Sequence, residues 1–504
     1  MTKEKDYCSA LIIEDEKIVD LGSDEEILNK AWDEDRIIDL NKKTILPGFI
    51  DSHLHLMSTI INEISLNFER ATCIEEVLQM ISDKAKGLSK GSLLYGNRLS
   101  EFTLKERSFP TRQDIDKVAA DVAVIISSIE FHTVVLNSYA MHLFNIPFTS
   151  NSFEKDICNN FTGKIRNRGS FIARRKMFAM MSDEDHLRGI DSAVQKIISK
   201  GVTTTVTMES GSLFHEKHIR LIKDNLRRFP FDVEIFYSTT DIKKAIQYDL
   251  TRIGGDIFLD GSFRSQNAAI YQPYSDDLNN YGHLFFTQEE LKEFMGQAHS
   301  LGLQISVHAV GERAIDMLLD CYEQILRDSN VFDYRHRIEH FELPTTNQIK
   351  RVRELGLILA MHPTYEYFFR GKGDMYDTRL GMERSLKTNP FKEILDNDIV
   401  VIGCSDSDVM PVDPLLGVHS AVNHPNIYSR VSVFDALKMY TKNGAYSLFD
   451  ENTKGTIGEG KLADLIMLDK DPLKTDKDKI KYINILNTIK GGKSIYTAAG
   501  GIDL

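Results

Sequence analysis

Two histidines separated by one residue end an apolar run near the N-terminus. The run reads LPGFIDSHLHL over residues 46–56 and carries His53 and His55. Because side chains alternate between the faces of a strand, both imidazoles are predicted to point to the same side. Imidazole nitrogen binds transition metals such as zinc, but two ligands leave the ion unsaturated. A metal site therefore needs further ligands elsewhere; the alternative is a chance His-x-His pair on a surface strand.

Further ligand candidates stand at or just past the ends of predicted strands. They are His308, His340, Asp406 and, less securely, Asp256 or Glu209. The carboxyl ends of the strands are where a β/α barrel gathers its catalytic groups, so residues distant in sequence converge there. Each of these residues alone also fits a hydrogen-bonded position at the rim. Together they form a His-x-His, His, His, Asp series in strand order, which chance does not readily produce.

The elements that must position these residues follow an alternating pattern. From residue 51 to about 445, β-branched apolar runs alternate with amphipathic stretches, which predicts β/α units around a parallel sheet. Predicted strands begin at Ala123, Gly201, Val233, Asp256, Leu303, His336, Leu357 and Ile399, and predicted helices include 289–300, 312–326 and 347–355. The stretch within about 70–200 is too long for one unit, so we expect an insertion there. Residues 1–50 and 446–504 have β character and are predicted to pair into a small β-sandwich beside the barrel of 51–445.

Composition restricts the class of protein. The chain has 504 residues, 42% of them hydrophobic and 27% charged, as in an ordinary globular enzyme. A formal net charge of -13 argues against a nucleic-acid partner, which requires a basic surface. Five scattered cysteines without a CxxC pair favour free thiols in a reducing compartment. With neither a signal-peptide pattern nor a membrane-length apolar stretch, we expect a cytoplasmic protein that does not contact membranes.

The sequence resembles the amidohydrolase superfamily, and within it the amidohydrolase family 3 group of YtcJ-like and N-substituted formamide deformylase-like proteins. The resemblance runs over nearly the whole chain. Beyond residues 46–56, it rests on the segments FLDGS (258–262), VHAVGE (307–312), RIEH (337–340), Ser405-Asp406 and GEGKLADL (458–465). These motifs are specific for the superfamily but are poor guides to the substrate.

The resemblance implies a metal-dependent hydrolase on a distorted (β/α)8 barrel. It places His53, His55, His308 and His340 around a divalent metal site, with zinc expected as one or two ions. Asp406 is expected to bind metal and act as general base, while His308 or His340 are alternatively expected to orient the reacting groups. A divalent ion lowers the pKa of bound water from 15.7 to about 7, which supplies hydroxide at neutral pH.

One departure from the family pattern concerns the number of metal ions. Members often carry a lysine two residues before the Phe-x-Asp-Gly of the fourth strand, where its carbamylated form bridges two metals. This chain has Asp256 at that position. Because aspartate is shorter, a mononuclear site is at least as well supported as a binuclear one. Glu209 is a substitute carboxylate or, alternatively, a solvated acid at a strand end.

Four other residues are candidates for binding substrate. His132 matches a family position expected near the substrate, and His362 follows the predicted seventh strand. Arg264 and Tyr274 follow the Asp-Gly of strand four, and an arginine fork suits a carboxylate or carbonyl. Selectivity is expected to reside in loops and in the insertion.

The leading functional hypothesis is hydrolysis of a carbon–nitrogen bond, amide-like and not a peptide bond, in a small molecule. Deamination of a heterocycle and ester hydrolysis are alternatives, because the same metal site and aspartate serve all three reactions. A non-catalytic barrel protein is the alternative outside enzymes, although buried polar ligands without a metal are costly. The expected partners are a small-molecule substrate and a second copy of the chain in a homodimer.

Overall fold

The structure is a computed structural model of the 504-residue chain. It describes residues 7–32, 35–129, 131–145, 152–166, 168–211, 214–327, 329–370 and 374–502. Eight parallel strands form the central sheet: β1 Phe49–Leu54, β2 Val202–Glu209, β3 Asp232–Tyr237, β4 Arg252–Ile253, β5 Gln304–Ala309, β6 Arg337–His340, β7 Ile358–Met361 and β8 Val401–Gly403. They neighbour one another in sequence order, and a parallel bridge between Leu54 and Ser407 closes the ring. The predicted distorted (β/α)8 barrel is confirmed.

Helices connect and cover these strands. In the described chain they are Asp24–Leu28, Leu56–Asn62, Ile74–Ala85, Arg112–Asp116, Ser138–Phe144, Arg168–Met180, Asp183–Leu187, Ile190–Ile198, Lys217–Asp224, Ile242–Gln247, Gln288–Ser300, Glu312–Leu326, Thr346–Glu354, Thr364–Phe368, Met375–Ser385, Phe391–Asp396, Pro414–Val422, Val433–Met439 and Lys442–Ser447. Short 3-10 turns cover Leu226–Arg228, Ile427–Ser429 and Lys477–Tyr482. Local sequence determines where the helix Gln288–Ser300 begins, since Thr287 and Glu290 form a reciprocal capping box at its start. No helix in the described part of the chain has the length and apolar character needed to cross a bilayer.

The expected insertion lies between β1 and β2 and has its own sheet. Its strands, in spatial order, are Leu66–Asn67, Leu93–Leu99, Ala123–Ser128, Thr133–Leu136, Phe161–Arg166 and Phe153–Lys155. The prediction of a barrel strand at Ala123 was therefore wrong, because that strand pairs within the insertion. A short apolar β-branched run has the same pattern in any buried strand, so periodicity does not reveal which sheet it joins.

Both termini contribute to antiparallel sheets beside the barrel. Ala10–Glu14 pairs with Lys17–Gly22, while a second sheet has the order Lys493–Thr497, Ile485–Lys490, Leu465–Leu468 and Thr44–Pro47. Ile18 from the first sheet shares one apolar cluster with Leu465 and Ile489 from the second. The chain ends therefore pack face to face, and the strand Thr44–Pro47 leads directly into β1.

The prediction of a strand beginning at Asp256 was wrong, because β4 lies before that residue, at Arg252–Ile253. The strand ends at Ile253 because Gly254 and Gly255 follow with φ of 87° and 54°. A Cβ on Gly254 would lie 2.1 Å from the carbonyl oxygen of Ser306, so the backbone there approaches β5 too closely for a side chain. Asp256 consequently stands in a loop just past the strand end.

We predict that Gly254→Ala destabilises the protein more than Gly302→Ala does. Both glycines have positive φ, so both variants incur about 1 kcal/mol of backbone strain. Gly302 has no atom within 4 Å of its added Cβ, whereas Gly254 meets the Ser306 carbonyl. Scanning calorimetry should place the Tm of Gly254→Ala below that of Gly302→Ala, by about 1 °C for each kcal/mol of additional strain in a chain of this length. Equal Tm values would contradict the close approach of β4 and β5.

Candidate metal centre

Six side chains from five strands, or from just past their ends, meet at the carboxyl end of the barrel. His53 lies in β1 and His55 just past it, Asp256 follows β4, His308 and His340 lie in β5 and β6, and Asp406 follows β8. All six are buried. Two groups have ligand atoms within 4.8 Å of one another: His53, His55 and Asp256, and Asp256, His308 and His340. Asp256 thus belongs to both groups.

Asp406 completes the arrangement from the opposite side. Its Oδ1 lies 3.1 Å from His55 Nε2 and 3.5 Å from His53 Nε2. Its backbone N–H donates to the carbonyl of His53, which fixes the segment after β8 against β1. The hydroxyl of Tyr365 donates to the other carboxylate oxygen. Asp406 therefore faces the histidine pair with one oxygen and is held by a tyrosine through the other.

The orientation of the first two imidazoles is fixed from behind. His53 Nδ1 donates to Glu339 at 2.6 Å, and His55 Nδ1 donates to the carbonyl of Met208 at 3.0 Å. Arg337 holds Glu339 through Nε at 2.8 Å. Because both Nδ1 atoms are donors, the Nε2 atoms carry the lone pairs and point toward the carboxylates, as metal-ligating histidines do.

Unpaired polar atoms test whether these residues fit a metal ion. His53 Nε2, Asp256 Oδ1 and Asp406 Oδ1 are buried, face one another across the centre and have no hydrogen-bond partner among the described residues. An unpaired buried polar group costs about 1–3 kcal/mol, and more when charged. Imidazole nitrogens with carboxylate oxygens are the donor set of zinc and related divalent ions. The donor set therefore fits a divalent cation.

The electrostatics of the centre also favour a cation. Burial alone raises the pKa of Asp406, but the neighbouring imidazoles of His53 and His55 hold it well below its usual range. Burial opposes protonation of His53, yet the adjacent carboxylates of Asp406 and Glu339 raise its pKa to about 10. Without a bound ion, His53 therefore carries a proton, and its positive charge compensates the buried carboxylates.

An inner cavity of about 40 Å³ opens onto these ligands. The predicted substrate residues His132 and Arg264 line it. Asn267 Nδ2 lies 3.4 Å from His132 Nδ1, which makes that nitrogen the acceptor and leaves the hydrogen on Nε2. Burial, with a contribution from the charge of His308, lowers the pKa of His132 to about 3. His132 is therefore a neutral imidazole at the cavity.

Three other candidates lie elsewhere. Tyr274 is buried and donates its hydroxyl to the Ala268 carbonyl at 3.0 Å, so it lies away from the cavity wall. His362 packs behind the centre, with ring centroids 5.0 Å from His53 and 4.4 Å from His340. Glu209 accepts from the Met57 N–H at 2.9 Å and lies outside both ligand groups. Of the two carboxylates considered, the structure brings Asp256 to the centre.

Sequence reasoning did not single out three residues that support the centre. Glu339 orients His53, and Tyr365 holds Asp406. Asp260 accepts N–H groups from Val310 and Gly311 and lies 3.4 Å from His308 Nδ1. Glu339 lies in the motif RIEH and Asp260 in the motif FLDGS. The acidic residue of each motif could therefore have been predicted to support the centre. Tyr365 lies in an aromatic run without such a signal.

Several known proteins are similar to this chain over almost its full length. The profile described as "Amidohydrolase family" matches residues 36–496. YtcJ of Bacillus subtilis is 25% identical over 98% of this chain and 97% of its own. The N-substituted formamide deformylase of Arthrobacter pascens is 25% identical, with 97% and 95% covered. A solved metal-dependent hydrolase of Pyrococcus furiosus has a TM-score of 0.72 and 28% identity, covering 92% of this chain and 95% of that one.

We predict that Glu339→Gln weakens metal binding by about 10- to 100-fold, because His53 loses the carboxylate that orients its ring. Metal content after dialysis against a chelator, measured by plasma mass spectrometry, reports the change. Glu234→Gln is the matched control, since it breaks a comparable pair with Arg252 at 2.7 Å outside the centre. Equal metal retention in the two variants would remove the assigned role of Glu339.

Proposed function

The chain belongs to the amidohydrolase family, and we propose that it hydrolyses a carbon–nitrogen bond, amide-like and not a peptide bond, in a small molecule. The observation that carries the proposal is the convergence of four histidines, Asp256 and Asp406 at one end of the barrel, where all of them except His53 line the inner cavity. Similarity to an N-substituted formamide deformylase supports this choice of bond. In the net reaction, the carbon–nitrogen bond breaks and the carbon forms a bond to the oxygen of water. The products are an acid and an amine.

The proposed cofactor is zinc held by His53, His55, Asp256, His308 and His340, with Asp406 beside it. When bound, a divalent ion lowers the pKa of water and polarises a carbonyl as a Lewis acid. Zinc suits this donor set and has no redox chemistry to interfere with hydrolysis. Glu339 and the Met208 carbonyl hold the two histidines of β1 in the tautomer that the ion requires.

Asp406 is the proposed general base. Its pKa is held low, so the carboxylate is ionised and able to accept a proton from water as water attacks the substrate carbonyl. The same proton then passes to the leaving nitrogen, which departs as a neutral amine. Tyr365 donates to the far carboxylate oxygen and keeps the near oxygen directed at the centre. Neutral His132 is the proposed donor to the substrate carbonyl oxygen.

We further propose that the site would hold two ions, one through His53 and His55 and the other through His308 and His340, with Asp256 available to both groups. Asp256 Oδ2 lies 3.7 Å from His55 Nε2, while its Oδ1 lies 3.7 Å from His340 Nε2. Each carboxylate oxygen thus faces a different histidine group. A short aspartate spans the two groups because the loop after Gly254 carries its backbone toward the centre.

We predict that Asp406→Asn lowers kcat by about 10²- to 10⁴-fold, the usual contribution of a general base. The assay is a screen of formamides, N-acyl amines and cyclic amides, with an ester and a heterocyclic amine as tests of the alternative reactions. Asp413→Asn is the control, because Asp413 caps the helix Pro414–Val422 and asparagine caps equally well. An Asp406→Asn variant with full activity would exclude Asp406 as the base.

A second prediction concerns metal stoichiometry. Asp256→Ala should lose both ions because both ligand groups share that residue, whereas His308→Ala should retain the ion held by His53 and His55. Plasma mass spectrometry gives the metal-to-protein ratio, and circular dichroism checks that each variant is folded. One ion per chain in the unaltered protein, and its retention in His308→Ala, would point to a mononuclear centre.

A further inference from the structure

A second, larger cavity of about 430 Å³ adjoins the inner one. Its lining includes the cationic residues Arg107, Lys164, Arg166, Arg264 and Arg379. Arg107 and Arg166 are exposed, so this outer cavity reaches the protein surface. Such a concentration of positive charge is unexpected in a chain whose net charge is -13. It therefore calls for a specific explanation.

The two cavities are continuous through Arg264, which lines both. Its guanidinium lies between the ring of Phe102 at 5.1 Å, on the outer side, and the ring of Phe369 at 4.9 Å, on the inner side. The successive residues His132 and Thr133 line the inner and outer cavities respectively. A molecule in the outer cavity consequently lies next to the proposed reaction centre.

Acidic neighbours neutralise only part of this charge. Glu154 serves both Lys164 at 3.4 Å and Arg166 at 3.2 Å. Asp276 pairs with Arg379. Glu101 is shared between Arg379 at 3.8 Å and Arg264 at 4.0 Å. Without counting Arg264, the four cations Arg107, Lys164, Arg166 and Arg379 thus share these three acids in the described part of the chain.

Arg107 shows the surplus most clearly. Its Nη1 donates a hydrogen bond to the carbonyl of Phe102 at 2.7 Å, which fixes the side chain without neutralising its charge. Arginine forks bind carboxylate and phosphate groups in two-point geometry. A cavity with walls of one charge sign also concentrates ligands of the opposite sign.

We propose that the outer cavity binds an anionic group of the substrate, a carboxylate or phosphate, while the scissile amide enters the inner cavity. The inference rests on the proposed function and specifies its substrate class. The volumes support this division, because the inner cavity admits only a small group and the outer one has the size of ordinary ligand sites. The substrate is then an N-acylated amine that carries a negative charge away from the acyl group.

Three related probes with the smallest acyl group test this proposal: N-formylglycine, N-formylaminomethylphosphonate and the neutral N-formylglycinamide. Titration calorimetry on the metal-loaded protein gives each Kd, and a parallel sample is assayed for formate. We expect at least one anion to bind about ten-fold more tightly than the neutral amide, with the difference shrinking at high salt. The tighter of the two anions identifies the recognised group.

The variants are Arg107→Gln and Lys164→Gln, with Arg353→Gln as the matched control. Arg353 is exposed and pairs with exposed Asp398 away from both cavities. We expect the two cavity variants to lose most of the preference for the anion while binding the neutral amide unchanged. Equal binding of anionic and neutral probes by the unaltered protein would overturn the proposal, as would equal loss for both probes in the variants. Anion preference without any formate release would instead count against the proposed hydrolysis and leave the anion site intact.

Discussion

The burial of two carboxylates at one point is the constraint on which the site depends. Asp256 and Asp406 are 6% and 4% exposed, and an isolated carboxylate in such surroundings is strongly disfavoured. His53 and His55 both use Nδ1 to donate outward, so only their Nε2 atoms face the acids. Those atoms compensate the acids in one of two ways, by carrying a proton or by binding a cation together with them.

The barrel supplies the positions but not the final orientation of these groups. Parallel strands bring residues from all parts of the chain to one edge, and alternation would then send successive side chains to opposite faces. At β6, however, Glu339 and His340 are consecutive and both serve the centre. His340 has φ of 73° and Asp406 has φ of 56°, so the backbone leaves the strand conformation where the ligands stand. Left-handed backbone at two such residues costs about 1–2 kcal/mol each, and the surrounding contacts must offset it.

Sequence patterns predicted most of the barrel strands and several of the residues that meet at the centre, because those signals are local. The His-x-His spacing and the strand-end positions of His308, His340 and Asp406 depend only on nearby residues. Glu339 could not be assigned to His53 in this way, since 286 residues separate them and only the closed barrel brings them together. The end of β4 before Asp256 could have been predicted, because Gly254 and Gly255 precede Asp256 and glycine readily adopts positive φ. The sequence did not show which sheet the strand Ala123–Ser128 joins, because that depends on its hydrogen-bonded partner strands.

The barrel and the insertion contribute to different parts of the proposed site. The proposed ligands come from barrel strands and the loops that follow them. By contrast, Arg107, Lys164 and Arg166 of the outer cavity belong to the insertion, and only Arg264 and Arg379 come from barrel connections. A change of charge in the insertion therefore alters what reaches the centre without moving a ligand. Arg264 is where the two parts meet, since it lies between a ring of the insertion and a ring of the barrel.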